Sequence, residues 1–222
     1  MNNHMRCGKK ISFSLLLSFW AIQLYAITLS SPMQKALDAC IALRNAAGSG
    51  SEVALKAANK DFVEAGIREC TYLDFVEGNK VSLNGHFVFS RRFVEDLLNG
   101  RNVYRFAQQQ YGEENRHIAY GTENILCQTI AIAEKSSAIY RMATKGKIEF
   151  AAISEAKGLV TLRIHDVTND RWYNDSVDEK NGRLERTLQI DLPTESNTIL
   201  EIEVINTSKR SVSVACLYGY ED

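Results

Sequence analysis

The chain has 222 residues, of which 45% are hydrophobic and 24% are charged, with 13 Gly, 2 Pro and 5 Cys. This composition is that of an ordinary globular protein, so it excludes collagen-like, low-complexity and largely disordered chains. The formal net charge is -1, which leaves no basic excess for binding nucleic acid. The length permits one large domain or two small ones.

The first 26 residues have the pattern of a secretory signal peptide. Arg6, Lys9 and Lys10 precede an uncharged, mostly apolar run over 11–22, and Ala26 is a small residue suited to cleavage. A membrane-spanning helix would need about 20 apolar residues, which is more than this run provides. We therefore expect cleavage after Ala26 and a bacterial protein that is secreted or held in the periplasm or cell envelope.

Removal of this segment changes the charge of the chain. It takes away three of the 26 basic residues and none of the 27 acidic ones, which leaves a net charge of -4. The rest of the sequence contains no apolar run long enough to span a membrane. The expected partner is therefore a protein or a glycan at the cell envelope, and not nucleic acid.

The stretch from 27 to 120 is predicted to be a helical region that contains one β-hairpin. Apolar residues recur with helical spacing over about 32–72, with a Gly-Ser-Gly interruption at 48–50, which predicts two helices in a hairpin. Asn-Gly between two apolar runs predicts a β-hairpin over 80–89, because this pair tolerates a type I′ turn. Ser31 and Ser51 are the predicted caps of these two helices and Ser90 that of a further helix, and a short helix follows over 103–111.

From 121 to 222 the helical period disappears, and the chain is predicted to form about seven strands. They are predicted at 126–133, 138–142, 147–154, 159–165, 183–192, 198–206 and 211–218. In the sixth, Leu200, Ile202 and Val204 alternate with Glu201 and Glu203. Regular strands without intervening helices are typical of an antiparallel β-sandwich. The sequence therefore predicts an α+β fold with a helical region before a sandwich.

Two segments of the second half carry a family resemblance. In LRIHD (162–166) a strand runs into an Asp-rich loop, and LEIEVIN (200–206) is closed by a polar turn and a last strand. In these features the stretch 140–218 resembles the small β-sandwich modules of secreted bacterial proteins, such as the pre-peptidase C-terminal type. The resemblance covers about a third of the chain. It implies a non-catalytic accessory module with a binding or folding role.

The loop over 166–179 clusters hard oxygen ligands. Asp166, Asp170, Asp175 and Asp178 lie within it, and calcium takes six to eight oxygen ligands. Calcium is accordingly the one cofactor that the sequence suggests. The alternative is a solvated loop in which these side chains form local turns.

Trp172 and Tyr173 lie in the same loop. Their rings have the flat apolar faces on which a sugar ring stacks, which favours a ligand-binding role for both residues. The alternative is that they fold back and cover the end of the sandwich.

Motifs of catalysis are missing from the sequence. No HExxH, P-loop or dinucleotide fingerprint occurs, and no serine lies in a GxSxG elbow. The sequence therefore predicts no catalytic residue and favours a protein that is not an enzyme. A small hydrolase with an unrecognised site around His86 or His165 is kept as an alternative.

Four cysteines follow the predicted signal segment: Cys40, Cys70, Cys127 and Cys216. An oxidising compartment permits disulfides between them. The first two are offset by roughly 18 Å along the predicted helices, which excludes their pairing unless the second helix breaks at Gly66. The last two fall in the first and last predicted strands, which can lie side by side, so we expect at most one disulfide, Cys127–Cys216, and a buried free thiol at Cys40.

Taken together, these patterns favour a secreted, non-catalytic envelope or extracellular protein that binds or assembles through a β-sandwich module. A carbohydrate-binding module is the first alternative, and a small secreted hydrolase is the second.

Overall fold

The computed structural model describes residues 29–112, 125–156, 160–175 and 185–221. The predicted signal segment, His117 and Asp178 lie outside these residues. Within them the protein is α+β, with four α-helices followed by most of its ten strands. None of these helices combines the length and the apolarity needed to cross a membrane.

The helices are α1 (Ser31–Ser49), α2 (Glu52–Glu64), α3 (Arg91–Leu98) and α4 (Ala107–Tyr111), and a 3-10 turn at Tyr104–Phe106 precedes α4. The strands are β1 (Ile67–Glu69), β2 (Asp74–Gly78), β3 (Ile125–Ile132), β4 (Ser136–Thr144), β5 (Lys147–Ser154), β6 (Val160–Asp166), β7 (Arg171–Asn174), β8 (Arg186–Asp191), β9 (Thr198–Asn206) and β10 (Val212–Glu221).

The strands form two five-stranded sheets. Sheet A has the order β1-β3-β10-β5-β8, and sheet B has the order β2-β4-β9-β6-β7. All of the strand pairs are antiparallel except β1 with β3. The seven predicted strands all form, but the count of seven is wrong. The three that sequence reasoning missed, β1, β2 and β7, are short and lie at sheet edges, where no apolar alternation marks them.

A serine side chain caps each of the first three helices, and the sequence predicted a serine cap for each of them. The Oγ atoms of Ser30, Ser51 and Ser90 each accept a hydrogen bond from the backbone N–H three residues later. The cap of α1 lies one residue before the predicted one. The second helix is shorter than predicted, because the chain turns at Gly66, whose φ is +70°, and continues as β1.

The β-hairpin predicted over 80–89 does not form. The chain turns at the Asn-Gly pair, but its two arms do not pair with each other. Instead the N–H groups of Val81 and Phe89 donate to Ala131 O and Thr129 Oγ1, both in β3, at 2.9 and 3.1 Å. The arms are apolar and bury beneath the helices, so their backbone groups find partners on β3 and not on one another.

Alternation along the strands of sheet A separates two hydrophobic cores. In β10, Ala215 and Leu217 face the helices, whereas Val214 and Cys216 face sheet B. We call the space between the helices and sheet A the helix core, and the space between the sheets the sheet core. Strands buried on both faces read as continuous apolar runs, and β5 (KIEFAAIS) is an example.

Small residues on sheet A allow α1 to pack closely against it. A Cβ atom added at Gly219 would lie only 2.8 Å from Ile125 Cδ1 and 3.1 Å from Met33 Cε, at the start of α1. Alanines 131, 151 and 215 face the same core. The helix layer is therefore fitted to this face of the sheet.

Buried carboxylates hold α1 at both ends. At its N-terminus, Glu149 of β5 accepts hydrogen bonds from the backbone N–H and the Oγ of Ser30, at 2.6 and 2.5 Å. A negative charge at this end also complements the helix dipole. Near the C-terminus, Arg44 Nη1 lies 2.6 Å from Glu185 Oε1, and the two side chains are only 7% and 3% exposed.

The disulfide predicted between Cys127 and Cys216 does not form. Strands β3 and β10 are neighbours as expected, but Cys127 lies opposite Leu217, and Cys216 lies opposite Gln128. Because successive residues of a strand face opposite sides, Cys127 lies in the helix core and Cys216 in the sheet core. All four cysteines of the described chain are buried, and none is joined to another in this structure.

We predict that Arg44→Ala lowers the free energy of unfolding by about 3–5 kcal/mol, because it leaves the buried Glu185 carboxylate without its guanidinium. Urea unfolding at pH 7 measures this loss. The control is Lys56→Ala, which breaks an exposed ion pair with Glu52 on α2 and should cost less than about 0.5 kcal/mol. Equal small losses in the two variants would show that the buried pair does not hold α1.

Candidate functional site

The outer face of sheet B carries an ordered row of polar and aromatic residues. The strand registers align one residue from each of the five strands: Asp74, Arg141, Glu201, His165 and Trp172. We call this set the Trp172 row. With strands about 4.8 Å apart, it spans roughly 19 Å. The helices cover sheet A, so this row faces away from both cores.

Ion pairs fix the charged side chains of this face. Arg141 Nη2 lies 2.5 Å from Glu201 Oε1, and His165 Nδ1 lies 3.8 Å from Glu201 Oε2. Two residues along each strand, on the same face, the guanidinium of Arg163 pairs with Glu203. These contacts hold donors and acceptors in fixed positions on the surface of the sheet.

Trp172 provides a flat apolar surface beside these charges. Its indole stacks on His165, with ring centroids 4.4 Å apart and planes 8° from parallel. The guanidinium of Arg163 lies 4.8 Å from the centroid of the indole. Both contacts come from β6, and Trp172 nevertheless remains 49% exposed. The ring is thus supported from its own sheet and open to solvent.

The turn between β6 and β7 positions Trp172. Asp166 is 2% exposed, and its two carboxylate oxygens accept from the backbone N–H and the amide of Asn169 at 2.9 and 2.8 Å. Asp170 has a φ of +50°, a left-handed conformation that Asp tolerates. Its Oδ1 lies 3.0 Å from His165 Nε2, so it also orients the imidazole beneath the indole.

The calcium site predicted in this loop is not assembled by the described residues. Asp166 and Asp170 are engaged in the turn, whereas Asp175 accepts from Leu162 N at 2.6 Å. Leu162 and Asp166 are four residues apart in β6, or roughly 13 Å. The described part of the chain contains no group of three or more His, Cys, Asp or Glu that could hold a metal ion. The fourth predicted ligand, Asp178, lies outside that part.

Tyr173 does not share the exposed surface of Trp172. Alternation along β7 turns it to the other side, where it is half-buried against the sheet core, and the guanidinium of Arg171 lies 4.8 Å from its ring. Sequence reasoning identified Trp172 but did not predict roles for Arg141, Arg163 or the Glu side chains. The alternation within each strand was a usable signal for their direction.

A cleft of about 920 Å³ lies beside β2. Its amide side chains are already used to hold backbone. Gln128 Oε1 accepts from the N–H groups of Tyr72 and Leu73 at 2.9 and 2.8 Å, and Gln108 Oε1 accepts from Leu83 N at 3.1 Å. These groups shape the chain and are not available to orient a ligand.

A second cluster of reactive side chains lies where the segment before α3 meets β5 and β10. His86 Nδ1 lies 2.8 Å from Glu155 Oε1, and His86 Nε2 lies 3.2 Å from Ser211 Oγ. The order serine, imidazole, carboxylate is that of a hydrolase triad. The three residues are far apart in the chain, so no local motif could reveal them.

Glu155 also anchors this segment to the sheet. It accepts hydrogen bonds from the N–H groups of Phe87 and Ser213 at 3.0 and 3.1 Å. Burial acts to raise the pKa of Glu155, but the hydrogen bonds from His86 and from these two backbone groups outweigh it and lower the pKa. The ionised carboxylate is therefore the form that the folded protein stabilises.

This pKa shift predicts that Glu155 stabilises the fold in a pH-dependent way. Because the pKa is lower in the folded state, the contribution is complete above the ordinary value of 4.5 and is lost as the pH falls through the folded pKa. We expect Glu155→Gln to be less stable at pH 7 by about 1–2 kcal/mol and to lose less stability than the native protein between about pH 5 and 3.

Urea unfolding at several pH values measures both quantities. Glu64→Gln, at an exposed position of α2, is the control for the loss of one carboxylate. Parallel pH profiles for Glu155→Gln and the native protein would contradict the assignment.

Comparison with known proteins gives little beyond this geometry. No protein-family model matches the chain, and no curated protein matches it. Among solved structures, it is similar to a family GH115 4-O-methyl-alpha-glucuronidase, BtGH115A, described as specific for decorated arabinogalactans. The identity is 7% and the TM-score 0.33, over 76% of this chain and 25% of that one, and at this score the likeness carries no argument. The resemblance to pre-peptidase C-terminal modules stays a prediction.

Proposed function

We propose that this protein is a secreted, non-catalytic binding module of the β-sandwich type, and that the outer face of its sheet B binds an oligosaccharide chain. The observation that carries the proposal is the half-exposed indole of Trp172, stacked on His165 beside ordered charged side chains. Secretion is supported by the sequence pattern of residues 1–26.

The chemistry of this face complements that of a sugar ring. A pyranose has an apolar C–H face and a rim of hydroxyl groups. An indole ring stacks on the C–H face, and charged side chains held in fixed positions form hydrogen bonds with the hydroxyl groups. The carboxylates of Glu201 and Glu203 accept hydrogen bonds from hydroxyls, and the guanidinium of Arg141, which is half exposed, donates them. Since these groups are already held by one another, little conformational entropy is lost on binding.

The shape of the site favours a chain over a small molecule. Small ligands bind in concave pockets that enclose most of their surface, and an open sheet face does not enclose a ligand. The Trp172 row extends over roughly 19 Å, so an extended ligand touches several of its residues at once.

The charge balance of the site favours a neutral sugar. The surface presents two guanidinium groups, on Arg141 and Arg163, against four carboxylates. The carboxylates are those of Asp74, Asp170, Glu201 and Glu203. A polysaccharide rich in uronic acids would meet like charges here, whereas neutral hydroxyl groups pair with either kind of side chain.

We predict that Trp172→Ala weakens binding of the best neutral oligosaccharide, identified on a glycan array, at least about 30-fold, or about 2 kcal/mol. Isothermal titration calorimetry measures the two affinities. The loss follows from removal of the only surface in the site on which the C–H face of a sugar ring can stack.

Phe106→Ala is the matched control. Phe106 is 43% exposed and lies 5.2 Å from the Arg105 guanidinium, so it offers a similar ring and cation outside sheet B. Binding should be unchanged in this variant. Equal affinity for the Trp172→Ala protein, or no neutral glycan bound by the native one, would contradict the proposal.

A second candidate function, acyl hydrolysis, is favoured by the contacts of His86 with Ser211 and Glu155. Nε2 is placed to take the hydroxyl proton when Oγ attacks a carbonyl carbon, and Glu155 holds the imidazole by its other nitrogen. This candidate ranks second because Glu155 also accepts hydrogen bonds from two backbone N–H groups. A structural role, in which the cluster anchors this segment to the sheet, therefore accounts for the same contacts.

A fluorophosphonate probe distinguishes these two roles of the cluster. If Ser211 is an activated nucleophile, the native protein is labelled and Ser211→Ala is not, since only an activated serine attacks phosphorus at a useful rate. Ser82→Ala, four residues before His86 in the chain, is the control and should be labelled like the native protein. Absence of labelling in the native protein would leave only the structural role.

A further inference from the structure

The four cysteines lie in two different layers of the protein. Cys40 of α1 and Cys127 of β3 lie in the helix core, whereas Cys70 and Cys216 lie in the sheet core. Sheet A separates the two layers. Its backbone therefore stands between the members of any pair taken from different cores.

A disulfide between cysteines of different cores is therefore excluded, because it would have to cross sheet A. The two cysteines of the sheet core, Cys70 and Cys216, are too far apart to be joined. Cys70 continues β1 next to Gln128, since Glu69 pairs with Cys127, and Cys216 lies opposite Gln128 from the other side. Cys70 and Cys216 are thus two strand spacings apart, roughly 9.6 Å. A disulfide needs Cα atoms within about 7 Å, so these two residues cannot be joined.

The remaining pair is Cys40 with Cys127. The two side chains are 0% and 2% exposed and belong to the same core, and Cys40 is the neighbour that most raises the pKa of the Cys127 thiol. Met33 of α1 and Ile125 of β3 both lie beside Gly219. Cys40 is two helical turns after Met33 and Cys127 is two residues after Ile125, so these two cysteines lie on the faces that α1 and β3 turn towards each other.

We propose that Cys40 and Cys127 form a disulfide in the exported protein, which joins α1 covalently to β3. The proposal rests on the secretion proposed above, because reducing compartments keep thiols free. The oxidant is a disulfide carrier: one thiolate attacks a carrier sulfur and forms a mixed disulfide, which the second thiolate then resolves. The carrier leaves as a dithiol, whose two thiols take up the two protons that the cysteines lose.

Burial sets the time at which this bond forms. The contact with Cys40 and burial both raise the pKa of Cys127, so the folded core disfavours the thiolate that exchange requires. Exchange therefore takes place before the helix core closes. Once formed, the bond is shielded from reductants by the same packing.

Refolding tests the proposal without export. The full chain with Cys7→Ser is refolded in a buffer of oxidised and reduced glutathione, alkylated, and digested with trypsin without reduction. Trypsin places each of the four remaining cysteines in a separate peptide: 36–44, 69–80, 117–135 and 211–222. We expect peptides 36–44 and 117–135 to be linked, and the other two to be alkylated.

Stability gives a second readout. The bond closes a long loop, from 40 to 127, so protein refolded with reductant present throughout should melt about 10 °C below protein refolded in the glutathione buffer. Cys40→Ala should abolish the effect of reductant, and Cys70→Ala, the matched control, should retain it. Four alkylated thiols after refolding, or a link that involves Cys70 or Cys216, would overturn the proposal. N-terminal sequencing of secreted protein tests export separately, and a failure there leaves the refolding result unaffected.

Discussion

Burial of sheet A on both faces is the constraint on which the rest of the structure depends. One face packs against α1 and the other against sheet B, so β3, β5 and β10 carry apolar or small residues at almost every position. Charged groups inside the helix core are accepted only with partners, as with Glu149 at the cap of α1 and Arg44 with Glu185. These pairs hold the helix in one position on a sheet whose small residues allow close approach.

Sheet B differs from sheet A because only one of its faces is buried, and its other face is open to solvent. Its inward residues are as apolar as those of sheet A, but its outward positions are released from packing. The Trp172 row occupies those positions, and its order depends on pairing across five strands. The scaffold thus supplies rigidity from one side and leaves the other side available for binding.

The same rule of alternation decides several features of the chain. It places Trp172 outside and Tyr173 against the core, and it sends the thiols of Cys127 and Cys216 to opposite sides of one sheet. A shift of one residue in register would exchange each of these assignments. Register is therefore the quantity that links the fold to the candidate site and to the pairing of the cysteines.

The sequence by itself determined the local structure. Serine caps, helical spacing and strand alternation predicted three helix starts and seven strands, because these signals lie within a few residues of one another. The aromatic rings in the loop over 166–179 made Trp172 and Tyr173 ligand-binding candidates. The local signals did not reveal the short edge strands, which bury too little to leave a pattern.

Only the tertiary structure decided which distant residues meet. The apolar arms of 80–89 have the sequence pattern of a hairpin. In the structure they are buried beneath the helices, and their backbone N–H groups donate to β3 and not to one another. The four aspartates of 166–179 had the composition of a metal site, but an extended strand holds Asp175 far from Asp166. Ser211, His86 and Glu155, like the cross-strand neighbours of Trp172, are joined by strand order and register. These properties arise from pairing and packing between segments far apart in the chain, and so no local pattern encodes them.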